Sequence, residues 1–230
     1  MTAGRHNDNL EASIGRLIRG STYKDLSTVC IIPTRGVIPA KVVQYWLGLM
    51  TPMNQKFIRL FIEKMEVGDA YNTGIQTILD NPELRKWKYV LTMEEDNCPA
   101  PDGLLKLYES MNKYDVVAGL YWTKGEGGQP MIYGDPRVMP RNYIPQIPIP
   151  DTVQECNGLG MGFNLFKLDI FKKVPSPWFK TLQEYQHGQG VRMCTQDMYF
   201  YDNAAKFGYR FACDNRVRVG HWDQNNEVMW

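Results

Sequence analysis

The chain has 230 residues, with 26 Lys plus Arg against 25 Asp plus Glu, so its formal net charge of +1 supplies no global field for gathering nucleic acid or an anionic membrane. At 43% hydrophobic and 22% charged it has a globular composition, and its longest apolar runs fall far short of the ~20 residues that cross a bilayer. Against ~150 residues per domain, this length predicts one large domain or a domain with an appendage.

The polar segment Met1–Asp8 lacks the apolar core of a secretory signal, which predicts a cytoplasmic protein without stable membrane association. Leu10, Ile14, Leu17 and Ile18 share one helical face between Asn9 as N-cap and Gly20 as stop. This spacing predicts a docking helix and linker over residues 1–26, followed by the main domain over 27–230. Val29–Ile32 is a continuous apolar run, the pattern of a strand buried on both faces. Pro39 then suits a first helical turn, and Val42, Val43, Trp46, Leu47 and Met50 form an apolar helix face.

The same alternation recurs: strand at 57–62, helix at 69–79, strand at 89–93, helix at 101–111, strand at 116–121. Strands separated by helices of this length predict right-handed crossovers and an α/β fold with a mostly parallel sheet flanked by helices. In such sheets ligands sit at the carboxyl ends of the strands, so the segments after Ile32, Ile62, Met93 and Tyr121 should line one crevice. Residues 125–150, with six prolines and four glycines, read as a long loop with one short strand near Met131–Tyr133. A glycine-spaced turn follows at Asn157–Phe163, then a short helix at 169–173, a helix at 195–207 and strands at 210–213 and 217–219. Five cysteines without any CxxC pair predict reduced, mostly buried thiols rather than a disulfide framework or a cysteine-built zinc site.

The segment richest in chemistry is Tyr89–Met93 running straight into Glu94, Glu95 and Asp96. Carboxylates clustered at the end of a buried strand repel one another unless a cation neutralises them, and hard oxygen donors suit Mg²⁺ or Mn²⁺. The alternative is a solvated acidic turn. The basic residues Lys124, Arg137, Arg141, Lys167, Lys172, Lys173 and Lys180 read either as a local phosphate-binding surface or as scattered surface charge.

In their order these motifs resemble the GT-A fold glycosyltransferases, particularly those similar to family 2. Val29–Arg35 looks like their first strand and nucleotide-binding turn, Val67–Ile75 like the helix start that carries an asparagine, here Asn72, and Glu94–Asp96 stands where the family has its Asp-x-Asp. The resemblance covers residues 28–121 well and the remainder loosely. It implies a nucleotide diphosphate sugar donor, with a nucleotide-binding part over about 27–122 and an acceptor-side part over about 123–230. Pro33, Thr34 and Arg35 would meet the base, Asn72, Glu94 and Glu95 would contribute to donor binding, and Asp96 would hold the Mn²⁺ or Mg²⁺ on the diphosphate. Glu94 in place of the customary Asp is a departure.

Thr195-Gln196-Asp197 is similar to the family's acidic pair, of which the second member, Asp197, would be the general base; as a bare sequence feature it also reads as a helix N-terminal cap. His221, after the alternating Val217–Gly220, stands where many such enzymes have a further metal ligand, although a histidine beside an aromatic also reads as a structural hydrogen-bonding residue. The glycines of 157–163 resemble the family's small-residue segment below the acceptor site, and Trp122, Lys124 and Gln129 are placed to contact phosphate and sugar. The implied partners are a nucleotide sugar and an acceptor hydroxyl, on a glycan or, as in some similar phage-encoded enzymes, on a hydroxymethylated DNA base. A sugar nucleotidylyltransferase would want a glycine- and arginine-rich turn that Pro33–Gly36 does not supply; a non-catalytic nucleotide- or glycan-binding module is the other alternative.

Overall fold

The computed structural model of the protein describes Ile18 and residues 24–183 and 194–230 in full, and residues 184–186 and 190–193 as backbone. The docking helix expected at 9–19 therefore lies, apart from Ile18, outside the described residues. The described residues from 24 onward form the single α/β domain that the sequence predicts, a mostly parallel sheet with helices on both faces.

The strands β1 (Thr28–Thr34), β2 (Phe57–Glu63), β3 (Tyr89–Met93), β5 (Val116–Leu120), β9 (Phe163–Lys167) and β12 (Phe211–Asp223) make the central path, in the order β12-β5-β9-β3-β1-β2. β1 is parallel to β2 and β3, and β12 is parallel to β5. β9 is antiparallel to both of its neighbours, β3 and β5, so it is the one reversed strand of this path. The smaller strands β4 (Asn97–Pro99), β7 (Val153–Cys156) and β13 (Val228–Met229) pair with β12, while β6 (Ile132–Tyr133) pairs with β8 (Gly158–Leu159) and β10 (Leu182–Gln186) with β11 (Gly190–Cys194).

Because side chains alternate across a strand, the buried strands feed two cores at once. Val29 and Ile31, Val90, and Val116, Ala118 and Leu120 point to one side. There they meet Tyr71, Ile75 and Ile78 of α2 (Val67–Asp80), Ile170 and Phe171 of α4 (Asp169–Lys173) and Phe200, Tyr201 and Ala204 of α5 (Gln196–Lys206). Cys30 and Ile32, Leu91 and Met93, and Val117 point to the other side, onto Val42 and Trp46 of α1 (Ala40–Gly48) and Leu104, Leu107 and Tyr108 of α3 (Gly103–Ser110). Cys30, Cys98, Cys156 and Cys213 are buried free thiols. No helix among the described residues is long and apolar enough to cross a membrane.

Two departures from the sequence reading shape the site. β9 continues out of the glycine-spaced segment read as a turn, and inserts between β3 and β5. The two C-terminal strands read at 210–213 and 217–219 are one, β12, broken in register between Asp214 and Arg218. The polar Asp214-Asn215-Arg216 looks like a turn in sequence but forms a bulge, in which buried Asp214 accepts from the Arg216 backbone N–H at 3.1 Å and from its guanidinium at 2.9 and 2.7 Å. Bulges bend and twist a strand. Beyond this one, β12 leaves the β5 register to lie against β4, with His221 opposite Asn97.

Candidate active site

The carboxyl ends of the parallel strands open on a cleft of about 440 Å³, within the range of ordinary small-molecule sites. Pro33, Thr34 and Arg35 line it from the end of β1, Met65 and Val67 from beyond β2, Glu94, Glu95 and Asp96 from beyond β3, and Lys124 from beyond β5. The crevice expected from the strand order is thus formed by the segments expected to line it. Pairs such as Thr34 and Glu95, 61 residues apart, meet because β1 and β3 are neighbours.

Asp96 is the meeting point of two other side chains, His221 and Lys124. Its backbone carbonyl accepts from Trp222 N at 2.7 Å, which ties the acidic turn to β12 and brings His221 alongside. His221 Nδ1 lies 2.8 Å from the Trp122 carbonyl oxygen, an acceptor only, so this nitrogen carries the hydrogen. Nε2 is left facing Asp96 Oδ2 at 3.4 Å, and the edge of the ring packs against Tyr121 with centroids 5.5 Å apart. Nε2 and a carboxylate oxygen so placed attract each other only through a hydrogen on Nε2 or a positive charge between or beside them. Lys124 Nζ supplies such a charge, 2.5 Å from the same Oδ2. Burial acts to raise the Asp96 carboxyl, but hydrogen bonds from His221 and Lys124 outweigh it and hold the group below the usual carboxylate range.

The residues that could hold a divalent cation such as Mn²⁺ or Mg²⁺ are Asp96, through its hard carboxylate oxygen, and His221. A carboxylate oxygen and an imidazole nitrogen converge, and the far imidazole nitrogen is fixed by a carbonyl, as ligating histidines require. Among the described residues no group of three or more His, Cys, Asp or Glu could hold an ion by itself. Two protein ligands are what such ions accept when substrate phosphate oxygens and water complete the shell.

The other acids take different parts. Glu94 Oε1 accepts from Tyr71 OH at 3.2 Å, and its backbone N–H donates to Gly162 C=O at 3.2 Å. Burial, then the charges of Asp96 and Asp197, push its carboxyl up to about 7. Glu95 lines the cleft, yet its oxygens are engaged: it accepts from Thr34 Oγ1 at 2.8 Å and Arg35 N at 2.9 Å, and it pairs with the Arg35 guanidinium. Its observed place is to fasten the 33–35 turn to the end of β3. Asn72 is not brought to the cleft. Its amide oxygen accepts from Trp178 N and Phe179 N, each at 3.0 Å, and its nitrogen donates to Phe179 C=O at 2.7 Å. That amide clamps the 177–180 segment to α2 and lines a separate pocket with Glu66 and Thr181.

Asp197 sits in the first turn of α5, buried, with Oδ1 accepting from Met198 N at 2.9 Å and from the Thr195 hydroxyl. Burial raises its carboxyl and these hydrogen bonds oppose the rise without cancelling it. It does not line the main cleft, but its charge acts on Glu94, as that of Asp96 does. The helix carrying it is braced by an aromatic cluster in which Phe200 stacks on Phe179 at 4.9 Å and meets Phe166, Phe171 and Tyr201. Such pairs contribute about 0.5–1.5 kcal/mol each beyond area burial, so the acid stands on a rigid support.

The residues that sequence reasoning missed are Tyr71, Tyr121, Met65 and Val67; Trp122, expected to contact phosphate and sugar, meets His221 through its carbonyl. Gln129 is drawn into the loop instead, exchanging bonds with Thr123. The glycines of 157–163 answer to this protein's own side chains. A Cβ at Gly160 would lie 2.3 Å from Tyr121 Oη, and one at Gly162 would lie 2.6 Å from Asn97 Oδ1. Since Tyr121 is fully buried and cannot swing away, Gly160→Ala is expected to destabilise the fold by about 1–3 kcal/mol. Chemical denaturation checks this; an unchanged midpoint would mean that the Tyr121 ring relaxes freely.

No protein-family model and no curated protein matches the sequence. Solved structures do match. A197 from STIV aligns with a TM-score of 0.62 at 18% identity, covering 88% of this chain and 92% of that one. A 1–349 segment of S. aureus TarS, in complex with UDP-GlcNAc, gives 0.43 at 11% identity over 81% of this chain and 55% of that one. The 4-diphosphocytidyl-2C-methyl-D-erythritol synthase of Anaerococcus prevotii gives 0.36 at 12% identity, over 64% and 75%. At these identities the likeness is one of fold, and the alignment with A197 carries it: this chain shares that protein's α/β architecture over nearly the whole length of both.

Proposed function

We propose that the protein is a metal-dependent glycosyltransferase, similar to GT-A enzymes of family 2, that moves a sugar from a nucleotide diphosphate donor to an acceptor hydroxyl on a glycan or a hydroxymethylated DNA base. The observation that carries this reading is the convergence of Asp96 Oδ2 and His221 Nε2, at 3.4 Å, beside a cleft walled by Pro33, Thr34 and Arg35. The turn at 33–35 offers a backbone edge and a largely exposed guanidinium to a nucleoside. Asp96 and His221 would hold Mn²⁺ or Mg²⁺. When bound, that ion would act as a Lewis acid on the departing diphosphate, where negative charge grows.

Lys124 adds a second cation at the same place, able to turn from Asp96 to phosphate oxygen when the donor enters. Asp197 would take the proton of the acceptor hydroxyl, a role that a carboxyl raised by burial suits better than an ordinary one. In-line attack with that proton removed gives inversion at the sugar carbon. Nucleoside diphosphate with Mn²⁺ is expected to raise the melting temperature by more than the two separate shifts combined, since each completes the other's contacts and binding to the native state alone stabilises it. Equal shifts with and without metal would indicate a metal-independent nucleotide binder.

A further inference from the structure

We propose that the outer edge of β2 pairs with the same edge of a second copy of this chain, antiparallel and in register about Phe61. β2 ends the sheet, and among the described residues no strand pairs with its outer side. Its backbone is committed in alternation. Thr28 N donates to Lys56 C=O and Lys64 N to Thr34 C=O, so in a parallel ladder residues 56, 58, 60, 62 and 64 bond to β1. Phe57, Arg59, Phe61 and Glu63 turn their N–H and C=O groups outward.

An antiparallel partner must therefore oppose odd residues to odd residues. A two-fold axis at Phe61 does so, and sets Arg59 against Glu63 of the partner subunit and Glu63 against Arg59 of the partner subunit, with the two Phe61 rings facing each other. Charges on an edge strand ordinarily repel intruding strands. Here the two are of opposite sign and symmetric about Phe61, so they repel neither each other nor a second copy. Moving the axis to Leu60 sets Arg59 against a phenylalanine and leaves both charges unpaired. Among the described residues neither side chain has an ion-pair partner: there Arg59 reaches only the Trp46 carbonyl at 3.4 Å and the Phe57 ring. The edge is also apolar where it is open, with Ile58 39%, Phe61 46% and Met65 52% exposed. Such a surface is self-complementary, as a two-fold interface demands.

The test is sedimentation of the full chain across about 1–100 μM, where a pairing of this strength is resolved. The unaltered protein is expected to dimerise. R59E and E63R each place like charges opposite one another twice per interface and should raise the dimer dissociation constant roughly tenfold, while R59E/E63R restores complementarity and the dimer. Both positions are exposed, so the variants fold, which a thermal melt confirms. F61C should form a disulfide-linked dimer on mild oxidation, because directly opposed residues lie about 5.5 Å apart at Cα. A monomer throughout the range overturns the proposal. So does a dimer indifferent to both single reversals, or one that the double reversal does not recover.

Discussion

Asp96→Asn is expected to lower metal-dependent turnover by at least about 10²-fold, the scale of losing one preorganised electrostatic contact to the reacting groups, while the protein stays folded. The substitution removes a charged oxygen at the end of a strand, not a core group. Its pairing with Lys124 is partly exposed on both sides, 33% and 26%, and an ion pair so placed contributes about 1 kcal/mol or less. Activity and stability should therefore separate, and a thermal melt run beside initial rates reads both. His221→Ala should act on a different quantity. Donor affinity should fall about 10- to 100-fold and the Mn²⁺ requirement should move to higher concentration, because the lost group would touch metal and diphosphate in the ground state. Unchanged donor affinity would reduce His221 to a brace between Trp122 and Asp96.

Asp197→Asn should leave donor affinity nearly untouched and lower acceptor transfer by roughly 10²- to 10⁴-fold, the usual worth of a positioned general base. The asparagine keeps an oxygen for Met198 N and the Thr195 hydroxyl, so α5 keeps its first turn. The pH dependence has a defined sign. Burial raises the folded-state pKa of this acid above its unfolded value, so over that interval the native state holds a proton that the unfolded chain has lost. Stability contributed by the protonated group is therefore lost as the pH rises through the interval, and Asp197→Asn should gain stability relative to the parent from acid to neutral pH. Transfer by the parent should rise over the same interval as the base ionises. Transfer at the parental rate in the variant would leave the acceptor proton to another group and reopen a retaining mechanism.

How much of this was legible in the sequence depends on what carries each feature. β1, β3 and β5 announce themselves because strands buried on both faces must be continuously apolar, and the helices between them because only one face meets the sheet. β9 was hidden by the glycines before it, and by Asn164, a fully buried polar residue that spends its amide nitrogen on Tyr201 OH at 2.8 Å. The unity of β12 was hidden by its bulge, where Asp214 and Arg216 satisfy each other.

In the site, the acids after β3 stood out because three carboxylates behind an apolar strand need an explanation. Their separate duties did not. Glu95 and Asn72 are polar residues at element ends, and nothing in residue type distinguishes a side chain waiting for a ligand from one bonded to backbone 60 or 107 residues away. The Trp122 carbonyl that orients His221 belongs to the backbone and has no signature at all. The approach of His221 to Asp96 was legible only through motif order, since the bulge that delivers it could not be read.

The proposed transfer stands on Asp96 and His221 serving a nucleotide diphosphate donor. Its most direct test is release of nucleoside diphosphate from a panel of nucleotide sugars by the parent protein and by Asp96→Asn, each with and without Mn²⁺. The prediction is release from at least one donor by the parent, only when metal is present, and none above background by the variant. Release that persists without metal, or equally in Asp96→Asn, or from no donor in the panel, would contradict it.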